Sequence, residues 1–170
     1  MDITEVILND HHEQRRMFGI LEEVSPADTE ALGSVWKRLR ILLEVHAAAE
    51  EKLFYPRLLK LQKDLIAQES PGEETEDAVH DHNEIRDAIA AVEGHEVGSV
   101  EWLRAVAEVN EVNGDHMAEE ERQGLTDFRR HVGLEERHTM AVAFAAFEAE
   151  HAGGISAHDV DPKQYLREHG

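Results

Sequence analysis

The chain has 170 residues, no cysteine, a formal net charge of −20 and a pI near 4.9. The missing cysteines exclude disulfides, iron–sulfur clusters and thiolate zinc sites, and the negative charge argues against nucleic acid or an anionic membrane surface as a partner. Aromatic residues make up only 5% of the sequence and prolines number four, which favours helices over sheet in a single domain with a sizeable core.

Periodic apolar residues predict five helices joined by short polar segments. These helices span about 3–24, 28–61, 74–93, 100–130 and 134–151. Ser25 and Pro26 suit the N-cap and first position of the second helix, in which Pro56 is expected to cause a kink or bulge. The stretch QESPGEETED reads as a polar loop that runs into the start of the third helix, and Ser99 is the expected N-cap of the fourth.

Short connections between long amphipathic helices predict antiparallel neighbours. The expected all-α fold is therefore an up-down-up-down four-helix bundle over residues 1–131, with a C-terminal helix and short tail over 132–170. The fifth helix contains MAVAFAAF, which is apolar nearly all round and must be covered by the bundle or by a second copy. We therefore expect a monomer, or a homodimer through the C-terminal helix, and a tail that packs loosely on the surface.

The sequence predicts neither export nor membrane insertion. No run of 18 apolar residues occurs, and the N-terminus lacks the basic and apolar segments of a signal peptide. The expected location is the cytoplasm.

Twelve histidines are many for this length, and helical periodicity separates buried from exposed ones. Each bundle helix carries one histidine on its apolar face: His11, His46, His82 and His116. Glu50 follows His46 at i+4, and this spacing stacks the two side chains about 6 Å apart on one face. Glu120 follows His116 in the same way. His12 and His80 point elsewhere and are expected at the surface.

Buried imidazoles and carboxylates cost several kcal/mol each unless they are compensated. A hydrogen-bonded network could satisfy these groups, but it would leave buried negative charge that only cations neutralise. Two metal ions, each taking two imidazoles and sharing two carboxylates, satisfy them directly. Ligands without sulfur suit iron or manganese, and zinc would tolerate them. A ferritin-like site is the weaker alternative, because Glu135-x-x-His138 and Glu148-x-x-His151 both lie on the fifth helix instead of on two helices.

The motifs DHHE, HAAAEEKLFYP, DH and HMAEEE, which contain these four histidines in order, resemble those of the hemerythrin-like, or HHE cation-binding, family. The resemblance covers about residues 3–130 and implies a non-heme di-iron centre inside an up-down four-helix bundle. The implied ligands are His11, His46, Glu50, His82, His116 and Glu120. The first two helices would supply the histidines of one iron and the next two those of the other, with the glutamates bridging. An oxide, hydroxide or water bridge between the irons is also expected.

Oxygen-carrying hemerythrins have a His-x-x-x-His pair on the third helix, and one of these histidines is missing here. The positions four residues either side of His82 are Ala78 and Arg86. A water, a hydroxide or Tyr55 are the alternatives for the missing ligand. Helical phase puts Tyr55 about 100° from the line through Glu50, which favours a solvent ligand.

The fourth helix differs as well, since the carriers use an aspartate five residues after its histidine. Here that residue is Glu121, which we keep as an additional candidate ligand, although helical phase favours Glu120 as the bridge. Arg15 and Arg86 lie one turn from histidines and are expected at the edge of the centre, where they could polarise a bound ligand, or at the surface.

Four histidines leave more coordination positions open than five, and a labile position is what a metal needs to act on a substrate. We therefore hypothesise that the centre reacts with hydrogen peroxide first and with nitric oxide or dioxygen next, with catalase- or peroxidase-like activity in oxidative or nitrosative stress defence. The alternatives are a reversible binder or sensor of dioxygen or nitric oxide, and an iron sensor or store whose fold responds to metal.

Overall fold

The computed structural model describes residues 1–65 and 73–169, and within these ranges the chain is helical and has no strand. The α-helices are α1 Ile3–Glu23, α2 Thr29–Ala49, α3 Tyr55–Leu65, α4 Glu73–Glu93, α5 Val100–Arg122, α6 Gly124–His131, α7 Leu134–Glu150 and α8 Pro162–His169. A π-helical turn, Glu50–Phe54, joins α2 to α3. Of the polar loop predicted over 68–77, residues 68–72 lie outside the described residues and 73–77 begin α4. The predicted all-α class is confirmed.

Side-chain caps determine where three of the bundle helices begin, and Asp2 caps the first of them, α1. Asp28 accepts a hydrogen bond from the backbone N–H three residues later at 3.1 Å and caps α2. Ser25 and Pro26 are therefore wrong as its first residues, because the Ser25 hydroxyl instead accepts from the N–H of Ala27 at 3.3 Å in the preceding turn. Ser99 caps α5 as predicted.

The bulge expected at Pro56 is confirmed as the π-helical turn. The N–H of Tyr55 bonds to the carbonyl of Glu50, five residues back instead of four. Pro56 has no N–H to give to the carbonyl of Glu51, and the hydroxyl of Tyr165 in α8 donates to that carbonyl instead. Pro56 therefore accounts both for the π-helical turn and for the free carbonyl of Glu51 to which α8 bonds.

The sequence predicts one continuous fourth helix over about 100–130. This prediction is wrong, because α5 ends at Arg122 and α6 begins at Gly124. A Cβ added to Gly124 would lie 3.1 Å from Oε1 of Glu74 and 3.4 Å from a methyl carbon of Leu58. Glycine therefore allows α3 and α4 to approach the break closely.

The four helices that carry the buried histidines pack against one another, with α1 on α2 and α4 on α5 as the most extensive contacts. Their apolar side chains form two clusters. The first apolar cluster contains Ile7 and Val79, and the second contains Met17 and Ile85. His11 and His82 lie between these pairs along α1 and α4. Each buried aliphatic or aromatic side chain contributes roughly 1.5–3 kcal/mol, so the histidines are held between two firmly packed layers.

The C-terminal region packs on the bundle. α7 contacts α1, α2 and the π-helical turn and buries Ala141, Phe144 and Phe147, while Val142 on its other face is 49% exposed. The expectation of a loose tail is wrong, because α8 buries Tyr165 and the side chain of Asn83 exchanges hydrogen bonds of 2.8 and 3.0 Å with the backbone of residue 160. The division of the chain at residue 131 stays a prediction.

None of the helices within the described ranges is long and apolar enough to cross a membrane.

Candidate metal centre

The six side chains predicted as ligands are all buried between the two apolar clusters. They are His11, His46, Glu50, His82, His116 and Glu120. α1 and α4 each supply one histidine, α2 with its π-helical turn supplies a histidine and a glutamate, and so does α5. The i, i+4 spacing therefore places each glutamate on the same inward face as its histidine.

His11, His46 and Glu50 form the first group, whose potential ligand atoms lie within 4.8 Å of one another. Nε2 of His46 lies 3.0 Å from Oε1 of Glu50, and Nε2 of His11 lies 3.4 Å from Oε2 of Glu120. These contacts are ion pairs when the imidazoles carry protons, but none of the four atoms forms a well-directed hydrogen bond within the described residues. A buried polar atom without a hydrogen bond costs about 1–3 kcal/mol, and a cation among these four would satisfy them better.

Glu50, His82 and His116 form the second group, again with ligand atoms within 4.8 Å of one another. Nε2 of His82 lies 3.1 Å from Nε2 of His116 and 3.2 Å from Oε2 of Glu50. Glu50 thus presents one carboxylate oxygen to each group, which is the arrangement that a bridging carboxylate requires. Coordination by these residues stays a prediction.

Tyr55 points into the centre, and the expectation that helical phase would turn it about 100° away is wrong. Its hydroxyl lies 3.3 Å from Nε2 of His82 and 3.4 Å from Oε2 of Glu50. The π-helical turn brings residues five apart onto one face, and this carries Tyr55 to the side of Glu50. Burial, followed by the carboxylates of Glu120 and Glu50, holds the pKa of Tyr55 well above its usual range, so the phenol keeps its proton.

A carboxylate from a neighbouring helix faces the outer nitrogen, Nδ1, of every buried histidine. The distances are 2.9 Å for His11–Glu121, 3.1 Å for His46–Asp10, 2.9 Å for His82–Glu51 and 3.4 Å for His116–Asp81. Such carboxylates fix the orientation of an imidazole and raise its basicity, so that Nε2 is the nitrogen available to a metal. Glu121 therefore lies on the outer side of His11, and this argues against it as an additional ligand.

Arg15 and Arg86 support two of these outer carboxylates. Arg15 pairs with Glu121 at 2.8 Å, and Arg86 pairs with Glu51 at 2.6 Å. Both arginines therefore lie next to the centre, with Arg15 40% and Arg86 9% exposed, and their charges hold the carboxylates that orient the histidines. Polarisation of a bound ligand by either arginine stays a prediction.

The charges in the centre favour cations. Burial disfavours the charged imidazole, but the carboxylates of Glu50 and Glu51 outweigh it and raise the pKa of His82 to about 9. Burial also opposes ionisation of Glu50, yet His46 and His82 hold its pKa well below the usual range. The hydrogen bond from His11, helped by Arg15, lowers the pKa of Glu121 to about 2. A metal ion would take the place of protons on the inward nitrogens.

Asp10, Glu51 and Asp81 are absent from the residues that the sequence predicts for the site. A repeat in the sequence could have found them, since the pattern D-H-x-E-x-R occurs at 10–15 and at 81–86. The pattern H-x-x-x-E-E likewise occurs twice, at residues 46–51 and 116–121. In each copy, the acid next to an inward ligand contacts the histidine of a neighbouring helix.

The remaining histidines named from the sequence lie outside the centre. His80 is exposed and lies near Glu84 at 3.5 Å, as expected for a surface residue. His138 contacts the backbone of Met1 at 3.2 Å, and His151 bonds to a carbonyl at the end of α7 at 2.7 Å. The Glu-x-x-His motifs of a ferritin-like site thus do not contribute their histidines to it.

Buried groups of imidazoles and carboxylates inside a helical bundle define a class of metal-binding helical proteins. The chain matches the model of the hemerythrin HHE cation binding domain over residues 2–143, which is most of its length. It therefore belongs to the hemerythrin HHE cation-binding domain family, as the resemblance implied. No curated protein and no solved structure gives a significant match to the chain.

Proposed function

We propose that the chain is a non-heme di-iron protein with an up-down-up-down four-helix core that reacts with small oxidants, hydrogen peroxide first. Nitric oxide and dioxygen are the next candidates, and the proposed role is oxidative or nitrosative stress defence in the cytoplasm. The proposed ligands are His11, His46, His82 and His116, with Glu50 and Glu120 as bridges. Nitrogen and oxygen donors without sulfur suit iron, which would supply electrons by cycling between the ferrous and ferric states.

Glu50 is the observation that carries this proposal. Its Oε1 faces the first histidine group and its Oε2 faces the second, at 3.0 and 3.2 Å from the nearest imidazole nitrogens. Oε1 of Glu50 and both oxygens of Glu120 are buried without a hydrogen-bond partner among the described residues. A polar network that served only the fold would be expected to satisfy these atoms.

The space left by the missing histidine supports a reactive centre over an oxygen carrier. Ala78, four residues before His82, lines a cavity of about 20 Å³ together with Tyr55 and His116. A cavity of this size holds about one water molecule. Arg86, four residues after His82, is engaged with Glu51, so the room for a small ligand lies on the Ala78 side.

Tyr55 is the proposed hydrogen-bond donor to such a ligand. Its hydroxyl lies 3.4 Å from Oε2 of Glu50 and 3.3 Å from Nε2 of His82. A phenol at this place can donate to an oxygen atom of a small molecule in the cavity. The narrow cavity favours hydrogen peroxide over bulky organic peroxides.

Oxygen evolution from hydrogen peroxide tests the proposal, because disproportionation converts two peroxide molecules into one dioxygen and two waters without another reductant. The iron-loaded protein is expected to evolve dioxygen faster than an equal amount of free iron, and a bulky hydroperoxide is expected to react much more slowly. Glu50→Ala is expected to abolish the activity, while His12→Ala, which changes a histidine outside the centre, leaves it intact.

Turnover no faster than that of free iron would refute the catalytic proposal. A reversible spectral change on removal of dioxygen, without turnover, would indicate an oxygen carrier or sensor instead. A large loss of helicity on removal of iron would indicate an iron sensor.

A further inference from the structure

The 20 Å³ cavity between α3, α4 and α5 is lined both by surface residues and by residues of the proposed centre. Exposure falls along it: Asp77 and Glu119 are exposed, Asp81 is half-buried, and His116 and Glu120 are buried. We call this passage, with Asp77 and Glu119 at its outer end and Glu120 at its inner end, the acidic portal.

Negative charge dominates the described residues that line the acidic portal. Glu74, Asp77, Asp81 and Glu119 contribute carboxylates, and no lysine or arginine is among the described lining residues. Arg122, which lies 3.6 Å from Glu119, places a positive charge near its mouth. Burial, together with carboxylates that include Asp127 and Glu120, raises the pKa of Glu74 to about 7 against the hydrogen bond from Gln62. These carboxylates are thus short of compensating positive charge.

Glu120 gives an independent indication that a cation is received at the inner end of the portal. This side chain is 5% exposed, lines the cavity, and has both carboxylate oxygens without a hydrogen-bond partner among the described residues. The imidazole of His11 approaches Oε2 of Glu120 only to 3.4 Å, so a metal cation would satisfy this carboxylate better, and the cavity beside it has room for about one water molecule.

We propose that the acidic portal is the route by which divalent iron reaches the centre, with Asp77 and Glu119 attracting the cation and Glu120 receiving it. This inference rests on the proposed function, because it requires a metal centre behind the portal. Charged clefts with low-dielectric walls raise the local concentration of an oppositely charged species and its association rate by about 10- to 1000-fold. The overall negative charge would attract cations anywhere on the surface, whereas the portal concentrates this attraction at an opening to the ligands.

A much larger cavity of the protein is lined by different side chains. A cavity of about 410 Å³ between α2 and the end of α7 is lined by Lys37, Arg38, His151 and apolar residues, with Glu148 as its acid. Lys37 and Arg38 disfavour a divalent cation at this cavity. Glu148, which also lines it, forms a third group of potential ligands with Asp10 and His46. If the metal enters through the acidic portal, removing charge there should slow uptake. If it enters through the larger cavity, removing the charges of Lys37 and Arg38 should speed it.

The rate of cobalt uptake by the metal-free protein tests this inference, since Co²⁺ reports its own coordination by absorbance and requires no oxidant. The test variant is the double substitution Asp77→Asn/Glu119→Gln. The matched control, Asp87→Asn/Glu108→Gln, removes two exposed charges from the same helices, with residue 108 about 16 Å along α5 from Glu119. Circular dichroism of both variants checks that the helices are intact, and Asp77→Asn alone serves if the double variant is unfolded.

At low ionic strength, the portal variant is expected to take up Co²⁺ about 5- to 10-fold more slowly than the wild type, with the same final stoichiometry. The control variant is expected to match the wild type within about twofold, and the difference is expected to shrink at 0.5 M salt because charges are screened. Equal rates in all three proteins, or equal slowing in both variants, would overturn the portal. The two failures are distinguishable: a wild type that binds no Co²⁺ at the centre would refute the metal centre and the portal with it, whereas absent peroxide turnover would refute the proposed activity and leave the Co²⁺ uptake rates as the test of the portal.

Discussion

At the scale of single residues, a carboxylate orients each of the four buried histidines. In the sequence, this carboxylate stands directly before or after a different inward-facing ligand, on another helix. Asp10 precedes His11 but contacts His46, and Glu51 follows Glu50 but contacts His82. The inward residues could be predicted, because an apolar face is visible in one helix. The outer carboxylates could not be predicted from helical phase alone, because each of them contacts a histidine on a different helix.

Glu121 provides the residue-scale test of these outer carboxylates. Glu121→Ala removes the group that orients His11 and raises its pKa, so we expect the affinity for metal to fall about 10- to 100-fold while the stoichiometry stays the same. Competition titration with a chromophoric chelator measures this affinity. Glu111→Ala, an exposed change on the same helix, is the control and should bind as the wild type does. Loss of one metal per chain in Glu121→Ala would mean that Glu121 is itself a ligand.

At the scale of elements, the π-helical turn is the feature that the sequence predicts only in part. Pro56 predicts that the helix deforms here, because proline has no N–H for the backbone hydrogen bond. The helix can adapt either by widening to a π-helical turn or by kinking, and these two outcomes place Tyr55 on different faces. The break between α5 and α6 could not be predicted either, because a single glycine such as Gly124 is tolerated inside helices. Glycine at this position allows Glu74 to approach closely, and this contact is not visible in the sequence.

Tyr165 tests the link between the π-helical turn and α8. Tyr165→Phe removes the hydroxyl that donates to the carbonyl of Glu51, and we expect the free energy of unfolding to fall by about 1 kcal/mol. Urea unfolding followed by circular dichroism measures the change. Lys163→Ala, at an exposed position of the same helix, should have the stability of the wild type. Unchanged stability in Tyr165→Phe would show that the hydroxyl bonds equally well to water when α8 is displaced.

At the scale of the whole molecule, the two apolar clusters hold the site between them, and metal adds stability to a bundle that already has a core. Removing iron is expected to lower the melting temperature, because a ligand present at a thousandfold excess over its Kd stabilises the folded state by about 4 kcal/mol. Helicity at room temperature should change little, since protonated imidazoles pair with the buried carboxylates in the metal-free protein. Thermal unfolding before and after chelation measures both quantities, and a collapse of helicity would contradict this expectation.

Metal content of the purified protein tests the central claim most directly. Elemental analysis is expected to find two iron ions per chain in the wild type and in His12→Ala, and neither ion in His46→Ala or Glu50→Ala, because these residues supply a terminal ligand and the bridge. One metal per chain, zinc in place of iron, or full iron content in either ligand variant would contradict a di-iron centre at this site.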